Sequence, residues 1–329
     1  MQPIYKKILK LSLRILISLF ALAMILRQID TAALGEALRQ ARLRFVILVW
    51  LVAVAGIIIK SFKLKYILQK QNCQTSTQTI FRISAVNSLY RLFMPGVMAT
   101  PIKWYMLKKD TARGTNVFSG MVYNQYTELA VKLIIGLIAI IISNPAEILF
   151  PGQTRGFYLP VAAGIALAGI VAFSILLMNK RLVRAAKVIT GWVLRPLPDN
   201  IRKKGVLTID QLGSFQQAGA GFHAAAVLLT LGGSVTASVF MYYFAAMAAN
   251  IEISLWLIVW LAVFVYVLGR IPISVANLGV REFTIVSLLG LYGVSDSQAF
   301  LMSMIIFSSL VFMAMIGVGA LVCNFSASR

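Results

Sequence analysis

The chain is short of every residue type from which metal, redox and hydrolytic centres are built. It holds one histidine, His223, two cysteines, Cys73 and Cys323, and only 10 Asp and Glu in 329 positions. A lone histidine and two distant cysteines make neither a disulfide framework nor a metal site. The acidic residues are scattered, with no Asp-x-Asp pair, no His/Glu metal spacing and no paired-carboxylate cluster, and no glycine-rich nucleotide loop is present. The sequence therefore predicts no catalytic residue, no metal and no cofactor. Long polar stretches are missing as well: none exceeds about forty residues, less than an ordinary soluble domain.

What is abundant is apolar. Hydrophobic residues make up 60% of the chain and charged residues 12%, with a mean hydropathy of +0.86, whereas soluble domains carry roughly 25% charged residues. This composition predicts an all-α polytopic membrane protein with about seven to eight transmembrane helices. The 31 Lys and Arg give a formal charge of +21, which in a soluble protein would point to nucleic acid. Here the cations cluster between apolar segments, as positive-inside anchors do, so the partner is the bilayer and nucleic acid is excluded.

Taken in order, residues 9–26 read as an uncleaved first span, and 27–44 as a surface segment with Leu34, Ala37, Leu38 and Ala41 at helical spacing. A second span over 45–60 ends in Lys60, Lys63, Lys65 and Lys70, a basic exit that places this side and the N-terminus in the cytoplasm. Residues 78–108 are long enough to cross but carry Arg82, Asn87, Arg91, Pro95, Gly96 and Pro101. A single crossing would put Lys103, Lys108, Lys109 and Arg113 outside, so the element is predicted to dip in and return, or to cross an even number of times. Ser84, Asn87 and Arg91 share one polar face. The next span opens with Asn124, Gln125, Glu128 and Lys132, and Glu128 to Lys132 is the favoured order for a pair four residues apart. Two readings stand: a self-neutralising interfacial pair, or a Glu128 that faces a polar interior.

A turn at 144–155 is predicted external, a span at 158–178 returns inside, and Lys180 to Leu194 reads as an interfacial amphipathic helix in a cytoplasmic linker. Spans follow at 220–248, which contains His223, at 253–269 and at 299–322. The whole is one integral domain: first half 1–178, linker 179–218, second half 219–329. It is expected in the plasma (inner) membrane.

One stretch breaks the helical pattern most sharply. Arg270, Pro272, Asn277, Gly279, Arg281 and Glu282 lie between apolar runs, and bilayer core tolerates such backbone only where it is buried in protein or lines a wet cavity. Residues 270–293 are therefore read as a broken or re-entrant element. Arg91 to Pro95 and Arg270 to Pro272 echo one another in the two halves, each followed by Gly and a basic residue, Lys103 or Arg281. Paired Pro/Gly-interrupted segments point to a transporter's binding site. The charge-based topology makes the repeats parallel unless one element spans, and their relative orientation stays open.

The block Pro272-Ile-Ser-Val-Ala-Asn-Leu-Gly-Val-Arg-Glu-Phe, followed by Leu289-Gly-Leu-Tyr-Gly-Val, resembles the signature of the lysylphosphatidylglycerol synthase transmembrane-region family, flippase-like integral membrane domains. That signature runs Pro-Ile-Ser, Gly-Leu-Gly, then a basic residue and Glu, with Asn277 here in place of the first Gly. Asn87 with Pro95-Gly96 matches its Asn and Leu-Pro-Gly element. Where the family often continues with Gly-Glu or Gly-Asp, this chain has Val97-Met-Ala-Thr-Pro, so no acidic role carries over. The resemblance implies handling of a polar lipid. Bifunctional members add a soluble aminoacyl-transfer domain, and with no segment of that size here synthase activity is expected to be absent.

Two functions compete. In a lipid flippase or transporter, Arg91, Arg270 and Arg281 would neutralise the headgroup of an anionic or polar lipid, Glu282 and Glu128 would orient arginines or take protons, and Asn87 and Asn277 would add polar contacts. The alternative is an integral membrane enzyme, or an accessory subunit of a partner membrane enzyme, acting on lipid-linked substrates. The missing catalytic motifs weigh against the enzyme.

Overall fold

The computed structural model describes residues 31–94, 96–149, 157–177, 213, 215, 217–271, 274 and 276–327. The first span, the 180–194 helix, Pro95 and Pro272 lie outside the described residues. The described residues form helices α1 (Thr31–Gln40), α2 (Leu43–Lys70), α3 (Thr77–Phe93), α4 (Gly96–Thr111), α5 (Gly114–Ser143), α6 (Tyr158–Leu177), α7 (Ala220–Ser234), α8 (Met241–Ala248), α9 (Leu255–Leu268), α10 (Val280–Gly290) and α11 (Asp296–Ala327). A single turn at Ala146–Leu149 and a π-helical segment, Val235–Phe240, complete the set. Among the described residues, four continuous helical stretches are long and apolar enough to cross a membrane: Leu43–Lys70, Gly114–Ser143, Ala220–Ala248 and Asp296–Val322.

Two hydrogen-bond clusters mark the two faces of the molecule. At one, Arg42 N donates to Ala248 O, Asn250 Nδ2 to Gln40 O and Gln298 Nε2 to Asn250 O. At the other, Thr75 Oγ1 donates to Asp110 Oδ2 and Asn116 Nδ2 to Gln71 O. The helix that joins them, α2, has 28 residues and so spans about 42 Å. These two clusters settle the topology problem of residues 78–108. Both ends of the α3–α4 pair lie at the second face, so the pair is a re-entrant hairpin, as the charge rule requires.

The second half does the same from the opposite face. The chain leaves Asn250, descends α9, unwinds, climbs α10 and reaches Gln298, which is bonded back to Asn250. The sequence reading of 253–269 as a full crossing is therefore corrected. A helix of 14 residues is only about 21 Å long against a hydrocarbon core of about 30 Å, and it is the first arm of a hairpin. Residues 270–293 re-enter rather than span. The halves are thus inverted: span, hairpin, span in each, with hairpins that enter from opposite faces.

Matching devices build the two hairpins. Each first arm starts on a serine N-cap, Ser76 accepting from Thr79 N at 3.0 Å and Ser254 from Leu257 N at 3.2 Å; such caps contribute about 1 kcal/mol each. Helix α3 ends at Met94, whose φ of −130° and ψ of 149° are extended, as steric conflict with a following proline requires. Helix α9 ends at Gly269, and the return passes through left-handed Ala276, Asn277 and Gly279 before α10 restarts. A Cβ on Gly269 would meet Asn277 Nδ2, so a larger residue there would push the amide off the end of α9.

The halves interlock. Helix α11 of the second half packs most extensively against α3, while α9 packs against α5 of the first half. Small residues permit the approach, as expected where apolar lipid offers no hydrophobic drive. A Cβ on Gly317 would lie 2.4 Å from the Ala85 carbonyl oxygen, and one on Gly56 2.4 Å from Ala237 Cβ. Trp50 Nε1 donates to Ser308 Oγ at 2.9 Å and ties α2 to α11. The main apolar cluster runs through α8, α9 and the first half of α11 and includes Ile258, Leu261 and Met302.

Candidate functional site

Charged side chains of both halves converge between the hairpin tips. Glu128 lies about 21 Å along α5 from Gly114. Arg91 lies about 21 Å along α3 from one face and Arg270 about 22 Å beyond the start of α9 from the other. Together these two depths match the length of α2, so the tips meet about midway between the two faces.

Glu128 is the anionic centre. Its Oε1 pairs with Lys132 Nζ at 3.2 Å and with Lys60 Nζ of α2 at 3.3 Å. One turn along α2, Lys63 is 2% exposed and donates to the Asn124 carbonyl at 3.2 Å. From the first hairpin, Lys103 of α4 donates to Ser84 Oγ of α3 at 2.9 Å. Arg91, exposed at the tip, has no hydrogen-bond or ion-pair partner among the described residues. From the second hairpin, Arg270 donates to Tyr266 Oη and lies over that ring. The other ammonium on the ring is that of Lys132, 3.5 Å from its centroid, so Tyr266 joins α5 to the second hairpin by cation–π contact.

Coulombic contacts make this one cluster rather than several pairs. Glu128 acts on Lys60, Lys63 and Lys132, and also on Arg91 and Lys103; Arg91 and Arg270 act on each other. Five cations therefore face one carboxylate, and Arg270 joins them through Arg91 and Lys132. Asn87 shares the α3 face of Ser84 and Arg91. Its Oδ1 and the Oε1 of Gln125 are buried without a hydrogen-bond partner among the described residues.

The other predicted residues serve a different purpose. Arg281 is 8% exposed and Glu282 is fully buried; they pair with each other, and Ser303 of α11 bonds both. Glu282 Oε2 also accepts from Gly279 N at 2.6 Å and caps α10. Where the sequence reading gives Arg281 a lipid headgroup as partner, the structure gives it the neighbouring Glu282 carboxylate inside the fold. Asn277 likewise packs at the helix break, its carbonyl accepting from Arg281 N at 3.0 Å.

Sequence reasoning missed Lys60, Lys63 and Tyr266 as members of the cluster. The two lysines read as an exit marker because the span was ended at residue 60, whereas α2 runs on to Lys70. Their spacing of three, which places both on one helix face, and the Tyr266 to Arg270 spacing of four were the available signals. Lys103 counted only as topological evidence. Elsewhere, His223 Nδ1 is bonded to Tyr123 Oη at 2.7 Å at the second face, among the rings of Tyr66, Phe215 and Phe222. Among the described residues no group of His, Cys, Asp and Glu could hold a metal.

Comparison with known proteins agrees with these elements. No curated protein and no solved structure matches the chain. The family described as Lysylphosphatidylglycerol synthase TM region matches residues 11–319, a stretch that contains both hairpins and every charged residue of the cluster. The chain belongs to the lysylphosphatidylglycerol synthase transmembrane-region family of integral membrane proteins.

Proposed function

We propose that the chain moves a lipid with an anionic or polar headgroup between the two leaflets. The observation that carries this reading is the meeting of Arg91, Arg270 and Glu128 at mid-depth, each delivered by a different element and two of them from opposite faces. Charge at the bilayer centre is costly and ordinarily marks a substrate pathway. Both tips also pair an exposed cation with exposed apolar side chains, Arg91 with Phe93 and Arg270 with Ile271. A headgroup would sit among the cations while its acyl chains stay against these apolar flanks. The inverted hairpins supply two gates, one facing each leaflet, and relative motion of the tips would expose the cluster to one side at a time.

The second face is assigned to the cytoplasm, with the N-terminus on that side. Lys65, Lys70, Lys108, Lys109 and Arg113 gather there, whereas Arg39, Arg42 and Arg44 at the first face are offset by Glu36, Glu252 and Asp296. This is the positive-inside distribution. The plasma membrane is the proposed location.

The test is reconstitution of the full chain in vesicles carrying fluorescent lipids of different headgroups, with dithionite quenching to follow exchange between leaflets. Exchange of an anionic lipid well above that of protein-free vesicles is expected. Background exchange for every headgroup would reject the reading.

A further inference from the structure

The cluster between the hairpin tips has too much positive charge for an ordinary phospholipid headgroup. Lys60 and Lys132 share the one carboxylate, Glu128. Lys63 is held by a backbone carbonyl and Lys103 by a hydroxyl, partners that satisfy hydrogen bonds and leave the charge uncompensated. Arg270 rests on a phenol ring, and Arg91 has no partner among the described residues. With all six side chains ionised, the surplus among the described residues is five positive charges. A cation held at bilayer depth is costly unless a counter-ion arrives, and a phosphodiester, with a single negative charge, neutralises only one of them.

We propose that the cluster binds a terminal phosphate, a phosphomonoester or diphosphate group, in preference to a phosphodiester headgroup. This rests on the lipid-transport reading and names the chemical class of its substrate. A terminal phosphate brings about 1.5 to 2 negative charges and three acceptor oxygens near neutral pH, and a diphosphate brings more of both. Two separate arginines, one per tip, suit such a group, because each planar guanidinium engages two oxygens at once. A diester offers two unesterified oxygens for the two arginines to share, a monoester three and a diphosphate more. The interior lysines supply further donors, and Asn87 and Gln125, with buried and unpartnered side-chain atoms, are placed on the same two helices as Arg91 and Glu128. A half-turn of either amide presents its NH₂ to a phosphate oxygen. Glu128 has a defined part here: it holds Lys60 and Lys132 in place while the site is empty, and an entering phosphate competes with it for both.

The test compares matched lipids on the full chain in phosphatidylcholine nanodiscs. Dioleoyl phosphatidic acid, a monoester, and dioleoyl phosphatidylglycerol, a diester with the same acyl chains, are titrated and bound lipid is measured by native mass spectrometry. Phosphatidic acid should bind at least about tenfold more tightly, and its advantage should grow from pH 5.5 to pH 7.5 as the second phosphate proton leaves at about pH 6. Arg91→Ala and Arg270→Ala should each shrink that preference several-fold, and Arg39→Ala, far away on α1, should not. Sodium phosphate and pyrophosphate form a second arm. Competition only at high concentration assigns the phosphate to a lipid, and competition as strong as that of phosphatidic acid assigns it to a free anion. Equal affinity for the two lipids, or a preference that survives loss of both arginines, overturns the proposal. Vesicle exchange keeps the two readings apart. Transport of phosphatidylglycerol as fast as phosphatidic acid would sink the terminal-phosphate class and keep transport, whereas selective binding with no exchange of either lipid would sink transport and keep the class.

Discussion

Arg281 and Glu282 are neighbours in sequence and partners in space, an ion pair completed by Ser303 of α11 and closed off from solvent. The pair sits where α10 restarts after the break, so it ties the second hairpin to the helix that packs on the first. Removing one member leaves the other charge buried and alone, which costs about 3–5 kcal/mol. Arg281→Ala and Glu282→Ala should both lower the yield of folded protein and the thermal midpoint in detergent, with Glu282→Ala the worse because the Gly279 amide loses its acceptor too. The double change Arg281→Met with Glu282→Leu should recover part of the loss. An Arg281→Ala protein of unchanged thermal midpoint would disprove this structural role.

At the site the pattern reverses. Arg270→Ala removes an exposed cation whose side chain, among the described residues, bonds Tyr266 alone, so the midpoint should move by no more than a few degrees, the effect of about 1 kcal/mol or less. Lipid exchange should fall at least about tenfold, the loss of one charge-assisted contact. Glu128→Gln frees Lys60 and Lys132 and should abolish exchange while the protein still inserts and folds. Wild-type exchange in both variants would show that the cluster is not on the lipid's path.

How much of this was legible in sequence depends on the kind of signal. Pro95 with Gly96, and Pro272 with Gly279, announced both hairpin tips, because only a broken helix has use for them at membrane depth. Glu128 stood out as a carboxylate in an apolar run. Arg270 and Arg281 looked alike on paper, each a cation beside a break, yet one is exposed and the other nearly fully buried. What separates them is Ser303, which is 22 residues away in sequence from Arg281 and carries no mark of its role. The inversion of the halves was hidden for a related reason. A run of 17 apolar residues at 253–269 is near the length of a short span, and the bond from Gln298 to Asn250, which brings the chain back to its starting face, is a tertiary contact.

The glycines offer a clean packing test. Gly317→Ala would push a methyl into the Ala85 carbonyl, a backbone atom that cannot swing aside, whereas nothing lies within 4 Å of a Cβ placed on Gly319. Gly317→Ala should cost about 1–3 kcal/mol, visible as a lowered midpoint and loosened α3–α11 contact in hydrogen exchange. Gly319→Ala should be silent. Equal behaviour of the two would mean that α3 and α11 are not in close contact.

Side-specific labelling checks the paths of both hairpins. Single cysteines at Lys187, Lys70 and Asp110 should react with an impermeant maleimide only after the cells are opened, and those at Glu147 and Glu252 while the cells are intact. Burial pushes the native Cys73 thiol up, against the weaker opposing pull of Arg113, so it is a poor thiolate source and contributes little background near neutral pH. Its reactivity should rise as the pH is raised toward the shifted value. Opposite labelling of positions 70 and 110 would mean that α3 and α4 cross the membrane once between them.

The packing of α11 on α3, and of α9 on α5, bears on how such a protein could arise. Each hairpin is braced by the closing helix of the other half, so a half-length chain would leave its hairpin unsupported and its closing helix idle. Two copies inserted in opposite orientations would solve both problems at once by exchanging supports.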